Sequence, residues 1–101
     1  MSAERRMQKF PGENRTFSIN WTNRLSNAND GSADTIATSS WQIDSGLTEV
    51  ADSISGNIAI VRVSGGTALT TYKLENTITL TTSGYTLVDY ITVYVKSEPV
   101  E

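Results

Sequence analysis

The sequence of 101 residues predicts an all-β protein, and three observations support this prediction. Short runs alternate apolar and polar residues at the two-residue period of a half-buried strand. Ser and Thr make up about a quarter of the chain, and β-branched residues dominate the stretches between its turn signals. Ala, Leu, Glu and Lys do not recur at the 3.6-residue period of a helix.

The first half of the chain contains three predicted strands. The first, FSINW, places three apolar residues on one face, toward the core: Phe17, Ile19 and Trp21. The stretch SNANDGSAD, residues 26–34, has the composition of a loop. The next strand places one set of residues on a common face: Ala37, Ser39, Trp41 and Ile43. After a Ser45-Gly46 turn, residues 47–51 form a short extended piece.

The second half shows clearer alternation. One strand places Ala59, Val61 and Val63 on the same face before the Gly65-Gly66 reversal. The next points five residues inward: Tyr72, Leu74, Asn76, Ile78 and Leu80. The last, over residues 88–96, alternates Ile91, Val93 and Val95 with Tyr90, Thr92 and Tyr94. About six or seven such strands predict an immunoglobulin-like antiparallel β-sandwich over residues 17–96.

The charge is unevenly distributed along the chain. Residues 1–24 hold five basic and two acidic residues, whereas residues 25–101 hold three basic and nine acidic ones. We therefore expect residues 1–16 to be a flexible basic arm that docks on an acidic partner or on a neighbouring copy. Its basic residues are Arg5, Arg6 and Lys9, with Met7 and Phe10 as apolar anchors. A solvated, unattached terminus is the alternative, and residues 97–101 are expected to fray.

Composition argues against several classes of function. The chain has no Cys and no His, which excludes disulfides, thiolate metal sites and the commonest general base. No apolar run approaches the roughly 20 residues of a membrane span, and no secretory signal is evident. We expect a protein made inside the cell that binds no membrane, nucleic acid or cofactor.

Serine and acidic residues are the candidates for a catalytic or metal site. Ser39 and Ser40 have no base to activate them, so we expect no enzyme activity. The acidic loop 26–34 could hold calcium, but its spacing does not match an EF-hand, and a turn whose side chains bond its own backbone explains it better.

Four residues are predicted to be structural. Trp21 and Trp41 are expected in the core. Asn76 is expected to bind backbone at a strand edge or bulge, because a buried amide must be hydrogen-bonded. Tyr72 is expected to make a tyrosine-corner contact, its hydroxyl meeting a nearby main-chain group.

Taken in order, these landmarks resemble a family of small bacteriophage virion proteins, the fiber–tail adaptor proteins. The resemblance covers about residues 17–96 and is carried by the following residues: Trp21, Asp34-Thr35-Ile36, Ser39-Ser40-Trp41, Gly46-Leu47, Gly65-Gly66-Thr67, Tyr72 and Asn76-Thr77-Ile78. The chain departs from the family pattern at Asn20, where Asp is expected, and at Leu69, where Gly is expected. It also lacks the Gly-Arg pair that often follows the Asn-Thr-Ile strand.

The resemblance implies an immunoglobulin-like virion protein that joins a fiber or spike to the tail or head–neck region. Its partners would be other virion proteins and further copies of itself in a ring, and no catalytic residue carries over. Deleting residues 1–16 is then expected to abolish assembly and leave a folded monomer. The alternative is a capsid decoration or carbohydrate-binding module, which exposed, coplanar aromatics would favour. The candidates are Trp21, Trp41, Tyr85, Tyr90 and Tyr94.

Overall fold

The computed structural model of the protein describes residues 5–97, with side chains described from Met7 onward. The elements in chain order are β1 (Arg5–Lys9), β2 (Arg15–Asn20), α1 (Thr22–Leu25), β3 (Ile36–Ile43), β4 (Leu47–Ser55), β5 (Ile58–Gly65), β6 (Thr70–Leu80) and β7 (Thr86–Val95). The seven strands form two sheets, so the all-β prediction is confirmed. Residues 1–4 of the predicted arm and 98–101 of the predicted tail lie outside the described residues.

The strand order is β1-β7-β6-β3 in one sheet and β2-β5-β4 in the other. The pairs among β2 to β7 are all antiparallel. If β2 to β7 correspond to strands B to G, these are the B-E-D and C-F-G pairings of an immunoglobulin domain. The first strand differs, because β1 pairs in parallel with β7 and not with β2. The immunoglobulin-like assignment stays a prediction, and this strand order favours it.

The core lies between the two sheets and is built by the alternation that the sequence predicts. Each of β2, β5, β6 and β7 turns every second residue inward, as strand geometry requires. The buried apolar residues are Phe17, Ile19, Trp21, Leu25, Leu47, Ala59, Val61, Val63, Tyr72, Leu74, Ile78, Leu80, Ile91, Val93 and Val95.

The predicted flexible arm is partly a sheet strand. Residues 5–9 form β1, with Met7 in register with Val93 of β7. A turn at Pro11-Gly12 then carries the chain to the other sheet, where β2 begins at Arg15. Regular structure is therefore already present at residues 5–9, before the predicted start at residue 17. Parallel pairing with the last strand is a contact between the two ends of the chain, which local sequence patterns do not report.

Strand β3 departs from the predicted alternation at its start. Its register against β6 shifts between Ile36 and Thr38, which marks a β-bulge. The extra residue reverses the phase, so Ile36 packs against the core and Ala37 is exposed. Trp41 and Ile43 keep the predicted inward phase and are half-buried against the core.

The segment between β2 and β3 contains a short helix that the sequence did not predict. α1 is a single turn of four residues, and the Asn20 side chain accepts a hydrogen bond from the Thr22 N–H at its start. Within residues 5–97, no helix is long and apolar enough to cross a membrane.

Candidate docking surfaces

Asn76 is the centre of a buried polar network between the sheets. Its side-chain oxygen accepts a hydrogen bond from the Trp21 indole N–H at 2.9 Å. Its amide nitrogen donates to the Ser39 hydroxyl at 2.8 Å and to the Ser40 carbonyl at 2.9 Å. The predicted backbone partner is present, but Asn76 lies in the middle of β6, opposite Trp41, and not at an edge or bulge. The network joins the two sheets, because Trp21 follows β2 of the other sheet.

Tyr72 holds the reversal between β5 and β6. Its hydroxyl accepts a hydrogen bond from the Thr67 N–H at 2.8 Å, five residues upstream. Hydrogen bonding with Thr67, through its side chain first and its N–H second, lowers the pKa of Tyr72. The ring also covers Gly46, where an added Cβ would lie 2.7 Å from the ring carbon Cε1. This is the main-chain contact expected of a tyrosine corner, and it is structural.

Lys9, predicted as a docking residue, lies inside the protein. It is 2% exposed, and its ammonium donates hydrogen bonds to the carbonyls of Phe10 at 2.8 Å and Gly65 at 2.6 Å. Burial lowers the pKa of Lys9, since leaving water disfavours the charged form. Lys9 therefore fastens β1 to the Gly65-Gly66 reversal and is not available to a partner.

The other predicted arm residues are also attached to the domain. Met7 packs against the core, and Phe10 lies 5.3 Å from the Lys96 ammonium. Arg5 and Arg6 belong to β1. Deleting residues 1–16 would remove all of β1 and the first two residues of β2, so it would disturb folding as well as any docking.

The hydroxyl and acidic residues considered as sites have structural partners. The Ser39 hydroxyl accepts a hydrogen bond from Asn76. In loop 26–34, Asn29 and Ser32 exchange two main-chain hydrogen bonds, so a turn is present, but these bonds join main-chain groups and not side chains to the backbone as predicted. Asp30 accepts a hydrogen bond from the Tyr85 hydroxyl at 3.0 Å. Residues 5–97 contain no cluster of three acidic side chains suited to a metal ion.

Asp34 has a structural role that sequence analysis missed. Its carboxylate accepts hydrogen bonds from the N–H groups of Thr82, Ser83 and Thr35 at 2.8–3.0 Å. These N–H groups, that of Thr82 foremost, hold the pKa of Asp34 well below its usual range. The carboxylate joins loop 26–34 to the β6–β7 turn, 48 residues further along the chain. Nothing local in the sequence indicates this partner.

The candidate aromatics do not form one platform. Trp21 is buried, and Trp41 is half-buried on the inner face of β3, with an indole N–H that has no partner among the described residues. Tyr85 lies beside β7 and is held by Asp30. Tyr90 and Tyr94 share the outer face of β7, where Lys73 lies 5.7 Å from the Tyr90 ring.

The outer face of the four-stranded sheet is broad and carries little charge. Register places Val88 beside Thr77, Tyr90 beside Glu75 and Tyr94 beside Thr71. Val88 and Tyr94 are exposed. Among the described side chains of β3, β6 and β7 on this face, the charged ones are Lys73 and Glu75, which lie 4.0 Å apart. Tyrosine with few charges is the composition typical of the core of a protein interface.

The sequence matches the family described as podophage GP4 fiber-tail adaptor protein gp77 over residues 9–94. The chain belongs to this family. The match runs from the end of β1 to within one residue of the end of β7. No curated protein matches the sequence at a significant level. Membership in the fiber–tail adaptor family indicates a structural, non-enzymatic role in the phage virion, with contacts to other tail proteins.

Proposed function

We propose that this protein is an adaptor that attaches a tail fiber or spike to the tail or head–neck region of a phage through protein–protein contacts. The observation that carries the proposal is the family match over residues 9–94, which spans almost the whole sandwich. Since the match covers the entire fold and not one motif, the folded domain itself is the functional unit. The protein would be made in the host cytoplasm and then enter the virion.

The outer face of the four-stranded sheet is the surface we assign to the fiber or tail partner. Its strands are hydrogen-bonded side by side, and among the described side chains of β3, β6 and β7 its charges are few. Val88 and Tyr94 can bury apolar area against a partner, and the outward-facing Thr77 and Thr79 can form polar contacts with it. Attachment then depends on shape and burial, with no chemical step.

Cryo-EM of particles from the source phage tests the adaptor role directly. Density for the sandwich is expected at the junction of tail and fiber, with the β6–β7 face turned toward a partner. Density on the capsid face would favour the decoration alternative and contradict the adaptor role. A glycan array would test the carbohydrate alternative, and specific glycan binding would support it.

Surface variants test the assigned face. Val88→Asp and Tyr94→Asp are expected to lower the amount of protein in purified particles, because each places a charge in the proposed contact. Arg62→Asp is the control, since it makes an even larger charge change at an exposed residue on β5, the central strand of the other sheet. Equal incorporation of all three folded variants would contradict the assignment of this face.

A further inference from the structure

The four edge strands lie on two sides of the sandwich. In the orders β1-β7-β6-β3 and β2-β5-β4, the edge strands are β1, β3, β2 and β4. Strand β3 lies near β4, and β2 lies near β7. The sandwich therefore has a β1/β2 side and a β3/β4 side, and each side presents two strands whose outer edges are unpaired within residues 5–97.

The strands of the two sides carry opposite charges. Strands β1 and β2 contain four basic residues and no acidic one: Arg5, Arg6, Lys9 and Arg15. Strands β3 and β4 contain two acidic residues, Glu49 and Asp52, and no basic one. Lys9 is buried, which leaves three arginines, and the turn residue Glu13 lies 3.6 Å from Arg15. Even when Lys9 and the Glu13–Arg15 pair are discounted, the β1/β2 strands stay basic and the β3/β4 strands acidic.

The two acids occupy an unusual place on β4. Glu49 is in register with Val63 and Asp52 with Val61, and both valines face the core. Glu49 and Asp52 are therefore on the core-facing side of the strand, yet both are exposed, because only Leu47 of β4 is buried. Neither carboxylate has an ion pair with a described residue. Partial desolvation of its carboxyl group, and less strongly the charge of Asp52, raises the pKa of Glu49. A cation brought to this pair would therefore be favourable.

The apolar surfaces of the two sides are also complementary. On β4, Val50 is 47% exposed at a β-bulge and Ile54 is 39% exposed. A groove of about 760 Å³ lies between β1 and β2 and reaches the edge of the outer β6–β7 face, since its lining includes Met7, Arg15 and Phe17 together with Thr92 and Tyr94. The groove has partly apolar walls beside the basic Arg15. These walls could pack against the exposed Val50 and Ile54 of β4, and Arg15 could pair with a carboxylate of the same strand.

We propose that the β3/β4 side of one copy docks on the β1/β2 side of the next, so that Glu49 and Asp52 meet the positive charge that the arginines give to β1 and β2, with Arg15 as the described exposed cation. Contacts between identical sides would place like charges together, so the charges select a head-to-tail arrangement. Repeated head-to-tail contacts close into a ring when the rotation per copy permits it. This inference deepens the proposed adaptor role, on which it rests, by assigning the contact between copies.

A different explanation makes the opposite prediction. Inward-pointing charges on an edge strand also prevent unwanted strand pairing. In that case Glu49 and Asp52 would keep the protein monomeric, and replacing them would increase self-association. The sign of the change therefore separates the two explanations.

Sedimentation velocity on the full chain measures the contact. We expect concentration-dependent association at about 0.1 M salt that weakens at about 1 M salt, where the Debye length falls from about 10 Å to about 3 Å. The variants E49K/D52K and R6E/R15E are each expected to weaken association at least about tenfold. An equimolar mixture of the two should restore association, because each reversed side then meets an oppositely charged one. Glu75→Lys makes the same kind of charge change on the outer sheet face and is the control.

Three outcomes would overturn the contact: a wild-type protein that stays monomeric at low salt, variants that associate as well as the wild type, or a mixture that restores nothing. Circular dichroism confirms that each variant is folded, and E49Q/D52N replaces any that is not. Incorporation into particles is measured separately. A monomeric protein that still reaches the tail junction would overturn this contact and leave the adaptor role. A protein that associates but is absent from the tail would leave this contact and overturn the adaptor role.

Discussion

Replacing Asn76 by Leu is expected to be among the most damaging single substitutions in this domain. Leu has nearly the shape of Asn, so the change removes hydrogen bonds with little change in packing. It removes the acceptor of the Trp21 indole N–H and the donors to Ser39 and Ser40. Trp21 is almost fully buried, so its N–H cannot turn to water instead.

The magnitude follows from the number of groups left without partners. A buried polar group that loses its partner costs about 1–3 kcal/mol. The Trp21 N–H and the Ser40 carbonyl both lose one, and the apolar Leu side chain offsets part of the cost. We expect a loss of about 3 kcal/mol in the free energy of unfolding. For a domain of this size that lowers Tm by roughly 12–24 °C, from a total stability that is typically about 5–15 kcal/mol.

A double-mutant cycle by urea denaturation measures the effect, with tryptophan fluorescence as the probe, from both tryptophans or from Trp41 alone after Trp21→Phe. Trp21→Phe removes the indole N–H, so in that background Asn76→Leu should cost at least about 1 kcal/mol less. Thr77→Val, on the outward face of the same strand, is the control and should change stability by no more than about 0.5 kcal/mol. Full stability of Asn76→Leu, or strict additivity with Trp21→Phe, would refute the reasoning.

Three further predictions concern turns and loops and can be checked by thermal or acid denaturation. Gly66→Ala should destabilise by about 1–3 kcal/mol, because its Cβ would lie 2.9 Å from a methyl of Val95 at a φ of +101°; Gly84→Ala has open space and should cost less, so equal losses would contradict the steric reason. Leu69 has a φ of +64° and is exposed, so Leu69→Gly should raise stability by up to about 1 kcal/mol by relieving left-handed strain, whereas a loss would show that the Leu side chain has a contact that matters. The pKa of Asp34 is lower in the folded state than the roughly 3.9 of an unfolded chain. The stabilisation by its carboxylate is therefore present above that value and is lost as pH falls toward the folded pKa. Asp34→Asn should make stability fall less steeply at acid pH, and an unchanged fall would contradict this.

Leu69 shows how an expectation from the family resemblance can be explained physically. The resemblance implies Gly at this position, and the structure gives the residue there a positive φ, which Gly adopts without strain. The chain tolerates Leu there because the side chain is exposed and its N–H bonds to the Val95 carbonyl at 2.6 Å.

The residues that share a face of each strand could be predicted from the sequence, because alternation relates residues two positions apart. That information is local, so the two faces of β2, β5, β6 and β7 were separated correctly, and for β2 and β6 the inward face was predicted as well. The Tyr72 contact could also be predicted from the sequence, since its partner lies only five residues away. Family resemblance supplied the role, which the residues alone do not determine.

The tertiary structure decided everything that depends on partners distant in the chain. Trp21 and Asn76 are 55 residues apart, and Lys9 and Gly65 are 56 apart. Which distant groups meet is set by sheet order and register, and these result from how all the strands pack together. The same reason applies to the charges of the edge strands. The sequence determined that the N-terminal segment is basic, but only the sheet order placed β1 and β2 on one side of the sandwich, with the acids of β4 on the other.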